Sequence, residues 1–364
     1  DPVTSHQASL AHEQLEPWPI TKPPPQIAPW QPADSIAIAK LMALRLTDAA
    51  SDEVLRARVS LLLGDERVSD ILPDIPGPGV AELPEYASLF PGARHFAAVG
   101  EQPRDGLDPV PPRGLGGASN AWAAAPNRSA SGGTLLANDP HLGFSAPGIW
   151  YLARLELQTG GVIGGTIPGI PAVLVGRSAR LAWGLTTTHL DDQDLLIERL
   201  NPDDPSLVQT PDGWSPMRSR QSIVTVAGEE PRTLTLRWSD NGPVLPGHHF
   251  GVASVTPSGH VASLAWTALE PEDTSIGAAM GIMRAGNVAE AMAAGALHVA
   301  PTQNLTVADA DGVAMKVIGR LPRRSVRHQG QGRLPAPAWR AENLWDGYFE
   351  YAANPSFEAP DGGI

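Results

Sequence analysis

The chain has 364 residues, 42% of them hydrophobic and 18% charged, which suits a globular protein with a substantial core. Its formal net charge is −13, and its basic residues cluster only in a short run near residue 320, so nucleic acid is not expected as a partner. The absence of cysteine excludes disulfides, thiolate nucleophiles and cysteine-bound zinc, and no apolar run approaches the ~18 residues that span a bilayer.

Glycine and proline, 37 of each, predict long irregular connections rather than a helical bundle. Residues 1–31 read as an extended lead-in rich in Pro, Gln and His. Pro32 then opens a helical pattern from about Ala33 to Leu46, with Ile38, Leu41, Met42 and Leu46 on one face. Ser51-Asp52-Glu53 reads as a cap and acidic first turn of a second helix that runs to Leu63 and stops at Gly64. A shorter helix is expected from Arg67 to Leu72. Residues 74–118 are Pro/Gly-rich with little periodicity and read as a linker.

After Ser119 the pattern turns to strands. TLLAND, GIWYLARLEL, AVLVG, LAWGLT, DLLIERL, SIVTVAG, RTLTLRW and VASLAWTA follow in order. Helical patterns near 274–284 and 287–297 interrupt them. QNLTVADADG and VAMKVIG read as a final hairpin turning at Asp311-Gly312. The class expected is α+β with mostly antiparallel sheet. The chain begins at Asp1 and ends in NPSFEAPDGGI, which reads as a piece of a longer precursor.

Familiar catalytic patterns are scarce. Serine, histidine and aspartate are plentiful, but no spacing selects a triad. His248 and His249 are adjacent and so point apart, and H-E-x-x-H is absent. The run His189-Leu190-Asp191-Asp192-Gln193-Asp194 places two carboxylates three apart, with a carbonyl between, as oxygen ligands for a hard cation such as calcium. A solvated loop is the plain alternative. In GGASNAW, Ser119 lacks the glycine of a nucleophile elbow two residues on. Cleavage before Ser119 would give it a free α-amino group with a pKa near 8, able to act as base for its own hydroxyl.

The residues around it carry a resemblance. S-N-A-W at 119, LLANDPHL at 135–142, IPGIPAVLVGRSARLAWGLT at 167–186, PTQNLTVADADG at 301–312 and GRLPRR at 319–324 occur in the order of the penicillin acylase (penicillin amidase) family of N-terminal-nucleophile hydrolases. PWQPADSIAIAKLMALRLTDAASDEVLRA, at 29–57, is similar to the end of that family's α-subunit. The resemblance implies an αββα sandwich and three segments. Residues 1–73 would be the C-terminal part of the α-subunit, 74–118 its end and the spacer, and 119–364 the N-terminal part of the β-subunit. An inactive precursor would cut itself between Ala118 and Ser119, leaving an α,β heterodimer.

The resemblance also implies roles. Ser119 would be nucleophile and base, and His141 would orient its amine. Thr187, through its backbone N–H, and Asn304, through its side-chain amide, would hold the oxyanion. Arg324, or failing it Arg323, would support the site. Asp191, Gln193 and Asp194 match the family's calcium loop, with a further carboxylate from Asp52 or Glu53, and no organic cofactor is implied. Met42, Leu46, Leu142 and Val175 match positions lining the acyl pocket. Several are aromatic in phenylacetyl-specific members, so aliphatic acyl groups are expected here. Arg45 matches a position that approaches a substrate carboxylate.

The activity implied is hydrolysis of a small-molecule N-acyl amide, of β-lactam type or related, in the periplasm or outside the cell. An acyl-homoserine lactone acylase is the alternative that His141 and the aliphatic pocket favour. A secreted binding or structural domain with the same fold and no catalysis is the alternative from another class.

Overall fold

The computed structural model describes residues 28–63, 89, 119–142, 148–158, 160–225, 228–359 and 362–364. The lead-in to residue 27, the short helix expected at 67–72, the linker apart from Leu89, and Ala118 lie outside them.

Two helices come first. Pro32–Leu46 (α1) starts on a proline that has no N–H to leave unpaired, and the Asp34 carboxylate accepts the Gln31 N–H at 2.7 Å. Ala49–Leu62 (α2) begins two residues before the expected Ser51. Asp48 takes the cap position, and the Ser51 hydroxyl, already inside the helix, donates to Asp48 O at 2.8 Å. Small residues at the corner let the helices sink into a core. Ala43, Ala50, Val54 and Ala57 pack against Leu195, Ile197, Val252 and Leu264.

Beyond Ser119 the chain is mostly strand. Asn120–Ala124 (β1) and Leu135–Asp139 (β2) form a hairpin. Tyr151–Leu157 (β3), Gly160–Thr166 (β4), Val175–Arg177 (β5), Ala182–Thr187 (β6) and Gln193–Arg199 (β7) follow. Next come Leu207–Thr210 (β8), Gly213–Pro216 (β9), Arg218–Val224 (β10), Arg232–Ser239 (β11), Gly242–Pro243 (β12) and His260–Trp266 (β13). Helices Ser275–Arg284 (α3) and Val288–Ala294 (α4) precede the hairpin Gln303–Ala308 (β14) and Val313–Ile318 (β15). Its turn is held by Asp309, whose Oδ1 accepts the N–H groups of Asp311 and Gly312. Pro322–Arg324 (β16), Ala336–Pro337 (β17), Trp345–Tyr348 (β18) and Ser356–Glu358 (β19) end the order.

A seven-stranded antiparallel sheet, β19-β15-β14-β6-β5-β4-β3, is the frame. Between β4 and β5 the backbones are so close that a Cβ on Gly164 would lie 2.1 Å from Val175 O, so only glycine fits. The register sets Thr187 opposite Gln303 and Thr186 opposite Asn304. Alternation along a strand sends these two pairs to opposite faces. On one face, Trp183, Leu305 and Val307 pack against Ile282 and Met283 of α3 and Ala291 of α4. On the other, Ala308 packs with Ala123 of β1, and Gly184 lies under Asn138 of β2. The layers are therefore helices, large sheet and hairpin. The α+β class is the one expected. Among the described residues, the sheet facing the large one has only the two strands β1 and β2. A separate sheet, β13-β7-β17, carries the core beneath α2.

Candidate active site

A cavity of about 110 Å³ forms where α1, the large sheet and Ser119 meet. Ser119 lines it, together with Met42 and Leu46 from α1, Leu142 after β2, Val175 on β5 and Thr187 at the end of β6. Met42 and Leu46 are one helical turn apart and so share the inward face. The rest of the wall is chiefly aliphatic, from Ile167, Ile170, Leu174, Leu185 and Ile276, but Trp150 adds an aromatic ring. A second cavity, of about 260 Å³, lies beyond a shared wall that includes Ala39, Ser275, Ile276 and Ala300. The Lys40–Asp273 ion pair, 3.0 Å, borders it. Arg45 does not belong to either lining. It is exposed in the last turn of α1, where a cation suits the helix dipole and the apolar face has already passed inward.

The strand behind Ser119 is fixed by a residue that the sequence reading did not single out. Asn138 donates through Nδ2 to Asn120 O at 2.8 Å and to Leu185 O at 3.1 Å. Its Oδ1 accepts the Leu185 N–H at 3.2 Å. One side chain thus joins the start of β1 to β6 across the two layers. The signal lay within LLANDPHL, where an asparagine in an apolar strand needs partners for both ends of its amide. His141 is turned outward. Its Nε2 is 2.7 Å from Asp139 Oδ2, and about half of each side chain is exposed. Asp139 pairs with Asn120 in the hairpin register, so His141 stands one pair away from the nucleophile and binds a neighbouring carboxylate.

The expected oxyanion donors divide between the two faces. Thr187 is on the cavity face with Gln303, whose Nε2 is 3.4 Å from Thr187 Oγ1 and donates to Thr302 O at 3.0 Å. Asn304 lies on the face covered by the β1–β2 hairpin. Its Nδ2 donates to Thr186 Oγ1 at 3.0 Å, and the amide has a second N–H to give.

The acidic run clamps the helical corner to the strands. Thr47 Oγ1 donates to Asp192 Oδ1 at 2.9 Å, and Ala50 N–H to Gln193 Oε1 at 3.1 Å. Leu195 N–H donates to Glu53 Oε1 at 3.0 Å. His189, in the left-handed backbone region, brings its ring to 3.5 Å from Asp48. Asp192, fully buried, was passed over in favour of Asp191, Gln193 and Asp194, and burial pushes its pKa up to about 6. Burial and the charges of Asp194 and Asp191 push Glu53 well up.

Arg324 sits in this cluster rather than in the cavity of Ser119. Its Nε is 2.9 Å from Asp194 Oδ2, and its Nη2 is 3.1 Å from Asp191 Oδ1. Trp345 Nε1 also donates to Asp194 Oδ2. Arg323, the fallback, is exposed and bonds to Asp346. The donor set suits a hard cation in its chemistry. Glu53 Oε2 is an enclosed oxygen that accepts no hydrogen bond, Asp191 Oδ1 has only the ion-pair contact with Arg324, and that arginine pairs with Asp191 and Asp194 but not with Glu53. The three do not already converge on one point, among the described residues. Two expected ligands do not join them. Asp52 faces outward, and the Gln193 side-chain oxygen is committed to Ala50.

His298 is a further residue that the sequence reading missed. It lines the cavity, and its Nε2 donates to Pro301 O at 2.8 Å. Burial lowers its pKa, so the ring is neutral.

The penicillin amidase family model matches residues 7–364. The chain is 28% identical to the acyl-homoserine lactone acylase QuiP of Pseudomonas aeruginosa, over 92% of this chain and 40% of that protein. It is 31% identical to QuiP of Pseudomonas syringae pv. tomato, over 91% and 40%. It is 28% identical to the penicillin acylase 2 proenzyme of Pseudomonas sp. strain SE83, over 92% and 42%. The chain therefore spans about two-fifths of the length of these relatives. A thermostable penicillin G acylase from Alcaligenes faecalis superposes with a TM-score of 0.59 at 25% identity, over 67% of this chain and 43% of that one. No described helix is long and apolar enough to cross a membrane.

Proposed function

The chain belongs to the penicillin amidase family, with its N-terminal-nucleophile hydrolase fold, and from that premise we propose that it carries the nucleophile and acyl site of an amide hydrolase for aliphatic N-acyl substrates. The observation that carries the reading is Ser119 on the wall of a chiefly aliphatic cavity that Met42, Leu46, Leu142 and Val175 also line.

The chemistry follows from those positions. Cleavage before Ser119 frees its α-amino group, which takes the hydroxyl proton, directly or through one water. The serine oxygen attacks the amide carbonyl while the acyl chain lies in the cavity. The Thr187 N–H and the second N–H of Asn304 stabilise the oxyanion, and the amine leaves with the proton. Water, activated by the same amine, then releases the acid from the acyl-enzyme. Asn138 keeps the serine strand in register with the strand bearing Thr187. Hydrogen bonding between His141 and Asp139 stiffens the hairpin end beside Ser119.

Calcium belongs to the same proposal. Glu53, Asp191 and Asp194 would hold it, where it would neutralise their charge and staple the helical segment to the strands. The mature protein would be a heterodimer of the two cleavage products, in the periplasm or outside the cell. For the amine side, homoserine lactone is favoured over a β-lactam nucleus, because QuiP acyl-homoserine lactone acylases are among the similar proteins.

Intact mass and N-terminal sequencing of the full-length protein test the reading. A new terminus beginning Ser-Asn-Ala-Trp is expected, and Ser119→Ala should abolish both the cut and the hydrolysis. Hydrolysis that survives in Ser119→Ala refutes the assignment. A protein that remains a single chain and hydrolyses no acyl amide supports the binding-domain alternative.

A further inference from the structure

Beyond Trp183 the strand β6 loses its neighbour on one side, because the β5–β6 register covers Ala182 and Trp183 and ends there. On the other side it stays paired with β14. Thr188 N–H donates to Thr302 O at 3.3 Å, so these two residues form a hydrogen-bonded pair. Such pairs alternate in an antiparallel ladder, and the next pair, Thr187 and Gln303, has its N–H groups pointing outward. Leu185 lies on the same edge two residues back. Its N–H goes to Asn138 Oδ1 at 3.2 Å, and Asn138 Nδ2 reaches the O of Asn120, the residue after Ser119. The outward edge at Thr187 therefore looks to the start of β1, beside the nucleophile. The Thr187 and Gln303 side chains share the cavity face. Thr302 O can only accept, so its 3.0 Å contact places the Gln303 amide nitrogen there rather than the oxygen. The same nitrogen is 3.4 Å from Thr187 Oγ1, which therefore meets an N–H. A hydroxyl facing a donor turns its own proton away, and this proton has no acceptor among the described residues.

We infer that the Thr187 hydroxyl is a further oxyanion donor in the reaction of Ser119, beside the backbone N–H of the same residue, and that Gln303 is its positioning residue. The inference rests on the proposal that Ser119 attacks its amide in this cavity. Asn304 stands on the opposite face of the sheet, so the cavity face would otherwise offer the oxyanion the Thr187 N–H alone. Charge that develops on the carbonyl oxygen draws on the hydroxyl more than the neutral carbonyl does. The contact therefore strengthens on the way to the tetrahedral intermediate. Gln303 acts through Thr187. Its amide is anchored at Thr302 O and gives its other N–H to Oγ1, which polarises the hydroxyl and aims its proton away from β14.

The test uses the matured full-length protein and an octanoyl amide, with rates taken per cut chain as counted by intact mass. Thr187→Val keeps the backbone N–H and the shape of the side chain but removes the hydroxyl. It should lower kcat by about 10- to 100-fold and move KM by less than about twofold, as loss of a transition-state contact does. Thr187→Ser should restore most of the rate. Gln303→Met should lower kcat by about three- to tenfold alone and by nothing further in the Thr187→Val background, because the two side chains act as one unit. Wild-type kcat in Thr187→Val, a loss confined to KM, or losses that multiply in the double variant overturn the inference while the hydrolase reading stands. If Thr187→Val is cut too little to assay, Gln303→Met decides, and an unchanged kcat there overturns the inference. Failure of the wild-type protein to hydrolyse acyl amides overturns the parent reading and this one with it.

Discussion

Thr47 Oγ1 donates to Asp192 Oδ1 across 2.9 Å, so the hydroxyl that ends the first helix holds a carboxylate buried beneath the strands. The other oxygen, Oδ2, has no hydrogen bond. Burial raises the folded-state pKa to about 6, above the unfolded value near 3.9. The folded state therefore favours the protonated acid. Above pH 6 the ionised group costs folding stability by about 3 kcal/mol, and the cost fades as pH falls from 7 towards 4. In chelator, urea denaturation of Asp192→Asn should show higher stability than wild type at pH 8 by about 1–3 kcal/mol, with the two curves meeting near pH 4. Parallel curves across that range would contradict the assignment.

Arg324 is the single cation seen among Glu53, Asp191 and Asp194 in the described cluster. Arg324→Met should cost about 3–5 kcal/mol in chelator, because it strands buried carboxylates. Calcium should recover more of that loss in the variant than it adds to wild type, read as the shift in thermal midpoint. No calcium response in either protein would remove the metal from the proposal and leave the arginine as the counter-ion.

Asn138 makes its three hydrogen bonds to two different layers. Asn138→Ala should cost about 2–4 kcal/mol, since it leaves backbone groups unpaired at the base of the site. Asn138→Asp keeps the acceptor and loses both donations, so it should be impaired in cleavage as well as in stability. Normal maturation of Asn138→Asp on denaturing gels would separate this residue from the placing of Ser119.

Ile276 forms part of the wall between the cavities of about 110 and 260 Å³. Ile276→Ala should open one into the other and move the preferred acyl chain to greater length. Each extra buried methylene is worth up to about fourfold in kcat/KM. The check is the ratio of dodecanoyl to octanoyl amide hydrolysis, which should rise in the variant. An unchanged ratio would mean that the larger cavity is closed to the acyl chain.

Most of the frame was legible because its signals were local. Pro32 marked a helix start, Asp311-Gly312 a turn, and the run after Ser119 showed period-two strands. The start of α2 was misjudged because Ser51 looks like a cap, whereas Asp48 occupies the corner set by packing Ala50 into the core. Met42, Leu46, Leu142 and Val175, which the resemblance matched to pocket-lining positions, line the same cavity as Ser119. Arg45, Asp52 and Arg324 went elsewhere, since residue type and spacing do not reveal which way a side chain leaves its element. Asn138 and His298 were missed for a related reason. Each matters through partners 47 residues and 3 residues away whose geometry only the fold supplies.

The helical corner meets the strands through a buried core of Ala50, Val54 and Ala57, together with Glu53. In one continuous chain, these partners are held at high effective concentration by the connecting segment. Once the bond before Ser119 is cut, the same docking becomes a meeting of two molecules. On that proposal, a precursor would fold alone, at a rate indifferent to dilution, but a cut protein that unfolds would have to find its other half again. Refolding yield of the cut form should therefore fall on dilution while that of Ser119→Ala does not. Maturation would make the fold a state reached once and then kept.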